Sequence, residues 1–132
     1  MRPYLVMDCS FLMSSILPDE TNNRHSNTDD YSIHVPAIFF LECTNVLLLS
    51  RRKNRISPEI YETMTQLLSE LPFHIDSFSA TQESVFSIGL LANKFELTTY
   101  DASYLELAIR LKADIATHDK KLLQALKEIS KR

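Results

Sequence analysis

Apolar positions along this chain follow two rhythms. An unbroken apolar run at residues 4–7 suits a buried strand, and the short segments 32–35, 73–75 and 114–117 also read as strands. Longer stretches between them repeat apolar residues every three or four positions, as amphipathic helices do. The first run ends on Asp8. Ser10 is placed to cap a short helix through Leu17, which Pro18 stops. Residues 19–31 are almost wholly polar (Glu20, Asn22, Asn23, Arg24, His25, Asn27, Asp29, Asp30), which predicts a mobile loop with room for one helical turn.

Pro36 suits the first position of a helix running to about Lys53. Ser57-Pro58 starts another, with Ile60, Met64, Leu67, Leu68 and Leu71 on one face. Ser79 followed by Gln82 reads as a capping box opening a helix that carries Val85, Ile88, Ala92 and Phe95. The chain's only glycine, Gly89, falls inside it. Glycine there costs about 1 kcal/mol relative to alanine, so a close helix contact is predicted. Residues 102–111 read as helix, and Leu122, Leu123, Leu126 and Ile129 mark a last amphipathic one.

Strands alternating with helices predict an α/β fold, a three-layer α/β/α arrangement around a mainly parallel sheet. At 132 residues, with no internal repeat and no long linker, the chain suits one domain over residues 1–132. Hydrophobic residues make up 45%, enough to bury a core without staples. Cys9 and Cys43 form neither a C-x-x-C pair nor a disulfide framework, and read as small core residues in a reducing compartment. No apolar run approaches the roughly 20 residues of a membrane helix, so a soluble, cytoplasmic protein is expected.

A net charge of −3 is unusual for a nucleic-acid binder. It is less so if the acids are gathered to hold cations. Basic residues do cluster, Arg51 and Arg52 with Lys53 and Arg55, and Lys120 with Lys121, although charge runs are also common on solvated helix ends.

In an open parallel sheet, ligands bind beyond the carboxyl ends of the strands. Asp8 ends the first strand, Asp119 lies two residues past the last, and Asp101 stands at a helix start, where the helix dipole favours a carboxylate. Taken singly, Asp101 and Asp119 are also ordinary helix caps. Glu42 has no such account. Its helix is apolar nearly all round, so the carboxylate must be paired, neutral or bound to a metal, with Asn45 within hydrogen-bonding reach. Two unit charges about 4 Å apart cost about 4 kcal/mol at an effective dielectric near 20. Divalent cations remove that penalty, and an all-oxygen ligand set selects Mg²⁺ or Mn²⁺.

The motifs around these acids resemble those of the PIN-domain family, and of VapC-type toxin ribonucleases within it. Met7-Asp8-Cys9-Ser10 resembles the first motif, and Val35-Pro36 through Glu42 to Leu47 the helix of the second acid. The stretch from Tyr100 and Asp101 to Ala108 resembles the third, and Ala116-Thr117-His118-Asp119-Lys120-Lys121-Leu122 the fourth. The resemblance implies a PIN fold and Mg²⁺- or Mn²⁺-dependent endonucleolytic cleavage of RNA. It makes Asp8, Glu42, Asp101 and Asp119 the metal-binding acids, with Ser10 and Thr117 orienting them. It also implies a homodimer and a VapB-like antitoxin partner. Arg51, Arg52, Lys120 and Lys121 are candidates to track the RNA backbone. His118 reads as structural or substrate-contacting, and His25, His34 and His74 have no partner at metal-ligand spacing. Tyr104, one turn after Asp101, is placed to pack near the site, although a Tyr at helical spacing is more often core. The polar stretch 19–31 departs from the pattern, since relatives carry a longer amphipathic helix there.

Other classes fit less well. A signalling receiver needs paired acids after the first strand, and a dehalogenase-like phosphatase needs a second Asp where Ser10 stands; neither has a place for Glu42. A PIN fold acting only as a binding module is opposed by the presence of all four acids.

Overall fold

In the computed structural model, residues 2–17 and 28–131 are described. Pro18 and most of the polar stretch, His25 included, lie outside them. The described elements are β1 (Tyr4–Met7), α1 (Cys9–Ile16), β2 (Ser32–Pro36), α2 (Phe39–Arg52), α3 (Pro58–Glu70), β3 (His74–Asp76), α4 (Ser84–Phe95), α5 (Thr99–Leu111), β4 (Asp114–Ala116) and α6 (Lys120–Ser130). Single 3₁₀ turns stand at Thr28–Asp30 and Phe78–Ala80.

The four strands form one sheet in the order β3-β2-β1-β4, with every pair parallel. The expected α/β architecture is therefore present, flanked by helices. β1 is central, and its two faces are both covered: Leu5, Met7 and Val6 are all buried. Full burial of each such side chain contributes about 1.5–3 kcal/mol. α5 lies against β1, β2 and β4, and every residue from Ala102 to Ala108 is buried. From α2, Phe39, Cys43 and Leu47 enter the same core at helical spacing.

Several local expectations are corrected. Asp8, not Ser10, caps α1, accepting from Phe11 N at 2.9 Å. Pro36 ends β2, and α2 begins three residues later at Phe39. α2 is also less buried than its composition predicts, since Leu41 is 74% exposed. Ser79 does not open a capping box; its hydroxyl accepts from Ala37 N at 2.9 Å, and α4 starts at Ser84. Thr98 caps α5. Around Gly89 an added Cβ would meet nothing within 4 Å, so the predicted close helix contact is absent among the described residues.

β3 is an edge strand, paired only with β2, and Arg110 bolts it to α5. Its guanidinium donates to both Asp76 oxygens at 3.0 and 2.8 Å and to both Glu106 oxygens at 2.9 Å, and stands 4.9 Å from the Phe78 ring. Its bonds to Glu106, then to Asp76, raise the Arg110 pKa. Breaking a fully buried ion pair costs about 3–5 kcal/mol. The Arg110 side chain is 37% exposed, so solvent screens part of that. Arg110→Met, which keeps the apolar stem, is expected to destabilise by about 2 kcal/mol in urea unfolding. An unchanged midpoint would show that the latch contributes nothing to stability.

Candidate active site

Because Met7 pairs with Ala116 in register, the residues after β1 and β4 leave the sheet side by side. Asp8 N donates to Ala116 O at 3.1 Å. The Asp8 side chain, 8% exposed, is then held from three directions. Phe11 N and the Ser10 hydroxyl, at 3.0 Å, donate to Oδ1, and the Thr117 hydroxyl donates to Oδ2. Thr117 Oγ1 in turn accepts from Asp119 N at 3.0 Å. One hydroxyl thus fixes Asp8 relative to Asp119.

Asp119 caps α6, with Oδ1 accepting from Lys121 N at 2.9 Å and Leu122 N at 3.3 Å. Asp101 stands in the first turn of α5, its N–H donating to Thr98 Oγ1 at 3.0 Å. Glu42 projects from the first turn of α2 and accepts from the Tyr104 hydroxyl at 2.5 Å. Tyr104 is 1% exposed, so this bond spans the core between α5 and α2. The four acids share a cleft of about 390 Å³, together with Cys9, Ser10, Met13, Val46 and Tyr104. Among the described residues, no basic side chain lines it.

The acids act on one another. Burial raises the Glu42 pKa against the lowering effect of the Tyr104 bond, and Asp101 and Asp8 raise it further. Burial also raises Asp101, with Asp119 and then Asp8 adding to it and Thr98 opposing. Burial, then the bond to Glu42, raises Tyr104, which keeps its proton and donates. A wholly oxygen donor set with surplus negative charge is the chemistry a hard divalent cation satisfies. Among the described residues, no three acids stand close enough to grip one ion directly. Mg²⁺ does not require that, since it keeps several waters and takes one or two carboxylates.

Other expected residues fall elsewhere. Asn45 is exposed, and the bond expected of it to Glu42 is made by Tyr104 instead. Arg51 and Arg52 end α2, nine and ten residues past Glu42, roughly 15 Å along the helix. Lys120 is exposed beside Asp119, whereas Lys121 Nζ donates to Glu96 O at 2.7 Å and closes the end of α4. His118 is held against α1 by Ser14 Oγ at 3.0 Å and by stacking on Phe11 at 5.1 Å. Asp76, the last residue of β3, is engaged by Arg110.

Two contributors to the site escaped the sequence. Tyr104 follows Asp101 by one helical turn and so had the spacing of a site residue, but a buried tyrosine has the same signature. Cys9 is half-buried and lines the cleft rather than the core alone. It sits against Cys43, whose thiol is pushed up by hydrogen bonding to Cys9 and by burial. A larger cleft of about 860 Å³ lies among Met7, Phe11, Leu12, Ile33, Leu71 and Phe73, and among the described residues Asp29 is the one carboxylate lining it.

A family model described as PIN domain matches residues 5–128. The crystal structure of PAE2754 from Pyrobaculum aerophilum is similar, with 17% identity and a TM-score of 0.68 over 98% of this chain and 95% of that one. At that identity the likeness supports the fold alone. No curated protein matches in sequence. No helix of the described residues is long and apolar enough to cross a membrane.

The raised carboxyls set a pH dependence. Between the ordinary carboxylate range and the raised values, the metal-free folded state binds more protons than the unfolded chain, so stability falls as pH rises through that window. Asp101→Asn removes one of these charges. In EDTA it is expected to raise the thermal midpoint at neutral pH, and the gain should vanish below about pH 4, where unfolded aspartate is itself protonated. A mutant less stable than the parent at neutral pH would contradict the repulsion inferred here.

Proposed function

The chain belongs to the PIN domain family, whose members are generally nucleases, and we propose that it is a Mg²⁺- or Mn²⁺-dependent endoribonuclease. The observation that carries this reading is the convergence of Asp8, Glu42, Asp101 and Asp119, from four separate elements, on one cleft that no basic side chain of the described residues lines. Asp8, Asp101 and Asp119 would hold the principal cation, in part through its retained waters, and Glu42 would complete or bridge its site. A divalent ion bound there supplies charge neutralisation at a phosphodiester and a more acidic water.

The chain's own residues do the positioning. The Thr117 hydroxyl keeps Asp8 and Asp119 in fixed relation, and the Ser10 hydroxyl donates to the other oxygen of Asp8. Tyr104 donates to Glu42 Oε1 and leaves Oε2 for the cleft. Exposed Lys120, next to Asp119, is suited to contact the RNA backbone, while Lys121 is occupied at α4 and Arg51 and Arg52 lie farther off.

Within the family, the stretch from Tyr100 to Ala108 resembles VapC-type toxins. On that resemblance the reading extends to the toxin of a toxin–antitoxin pair, neutralised by a small VapB-like partner. A PIN nuclease of general RNA processing is the alternative.

The test is cleavage of a mixed single-stranded RNA panel by purified protein with Mg²⁺, Mn²⁺ or EDTA. Cutting is expected only with the metals, and Asp101→Asn should reduce it by more than about 100-fold, beyond what loss of an outer hydrogen-bond partner costs. Equal activity from the mutant would overturn the site assignment. Arrest of growth on expression of the parent but not of Asp101→Asn would support the toxin role, and normal growth with both would oppose it.

A further inference from the structure

The chain has two cysteines, far apart in sequence, and the fold brings them together. Cys9 opens α1, and Cys43 lies in the inward row of α2 with Phe39 and Leu47. α1 packs on α2, and the two thiols meet there within hydrogen-bonding reach of each other. Both are free. Their surroundings differ, however. Cys43 is 0% exposed, whereas Cys9 is partly exposed and lines the acidic cleft. Packing alone accounts for Cys43, since free cysteine is among the most buried residue types. It does not account for Cys9, which has a second thiol on one side and the cleft on the other.

The pair also stands between two of the acids. Asp8 directly precedes Cys9, and Glu42 directly precedes Cys43. Tyr104, whose hydroxyl donates to Glu42 Oε1, lies within electrostatic reach of both sulfurs. A covalent bond between the sulfurs is shorter than a contact between two thiols. Forming it draws the start of α1 toward α2 and changes the spacing of Asp8 and Glu42. The sheet holds Asp8 back through Ala116 and Thr117, so the acids cannot all move together.

We propose that Cys9 and Cys43 are a reversible redox pair, joined by hydrogen peroxide into a disulfide within the chain, and that the disulfide form of the cleft is inactive. The loss of activity rests on the nuclease reading; the disulfide itself does not. Peroxide reaching the cleft transfers one oxygen to the Cys9 sulfur, giving a sulfenic acid and one water. The Cys43 sulfur then bonds to the Cys9 sulfur. The S–O bond breaks, and the hydroxyl leaves with the Cys43 proton as a second water. The two thiols lose two electrons, which the peroxide takes up. A small dithiol reverses the step by exchange, entering at Cys9, the accessible partner. In a reducing compartment such a bond is transient, as a switch requires and a structural staple does not.

The test treats the full reduced chain with graded hydrogen peroxide and alkylates the remaining thiols with iodoacetamide. Intact mass and RNA cleavage are then read before and after dithiothreitol. A product within one chain, lighter by two hydrogens and with neither cysteine alkylated, is expected, and dithiothreitol should restore both thiols. Cleavage should fall at least about tenfold in step with that product, the lower end of what disturbing the outer partners of a metal site costs, and should return with dithiothreitol. Cys9→Ala and Cys43→Ala should each abolish the product. Circular dichroism checks that they fold, and either variant suffices if the other does not. Two alkylatable thiols in the parent, under peroxide that fully oxidises free glutathione alongside, would overturn the proposal. So would disulfides formed only between chains, or a crosslinked protein that cuts RNA as fast as the reduced one. A chain that crosslinks but cuts nothing in either state would support the disulfide and oppose the nuclease reading.

Discussion

The hydrogen bond from Thr117 to Asp8 is the joint on which sheet and site both depend. It exists because β1 and β4 are parallel neighbours in a register that ends Met7 beside Ala116. A shift by one residue would turn Val6 and Ile115 to the wrong faces and separate Asp8 from Thr117 in the same movement. Burial of three consecutive β1 side chains therefore enforces the placement of the first acid. The core does not merely carry the cleft; it sets the distance between two of its carboxylates.

That placement has an energetic cost, because the acids meet in a partly desolvated cleft and repel. Burial and mutual repulsion raise Glu42 and Asp101, and no lysine or arginine among the described residues lines the cleft to offset it. The compensation is hydrogen bonding to the ionised forms. Asp8 accepts three such bonds and Asp119 two, while Glu42 accepts one from a tyrosine that keeps its proton. Such bonds are about twice as strong as neutral ones, which makes the cluster tolerable without making it neutral. The remaining negative charge is what a divalent cation would satisfy.

Strands and helices were legible in the sequence wherever apolar spacing is decided by burial. β1 and β4 show it, and so does the inward row Phe39, Cys43 and Leu47. What failed was capping and exposure. Ser10 and Asp8 are both good caps, and only the tertiary bond from Thr117 explains why Asp8 takes the role while Ser10 turns to support it. Ser79 looked like the start of a box, but its hydroxyl is claimed by Ala37, 42 residues away in sequence. Leu41 and Leu49 suggested a fully buried α2, yet 74% and 42% of their surfaces face solvent. Glu42 stood out in the sequence because a lone acid in an apolar helix demands a reason. Tyr104 did not, because a buried tyrosine announces no partner.

α5 shows how stability and chemistry are kept apart on one helix. Its first turn carries Asp101, and Tyr104 one turn later reaches across to Glu42. Five residues after Asp101, in the middle of the helix, Glu106 is as buried as Asp8, but Arg110 engages both its oxygens and Asp76 as well. A carboxylate is thus left without a cation in the first turn of the helix and fully paired in its middle. If the acids of α5 were only a solvated or structural feature, pairing would be expected at both places, since burying an unpaired charge is the more costly arrangement. The asymmetry is the physical reason to read the first turn of α5 as a place where the protein withholds its own cation.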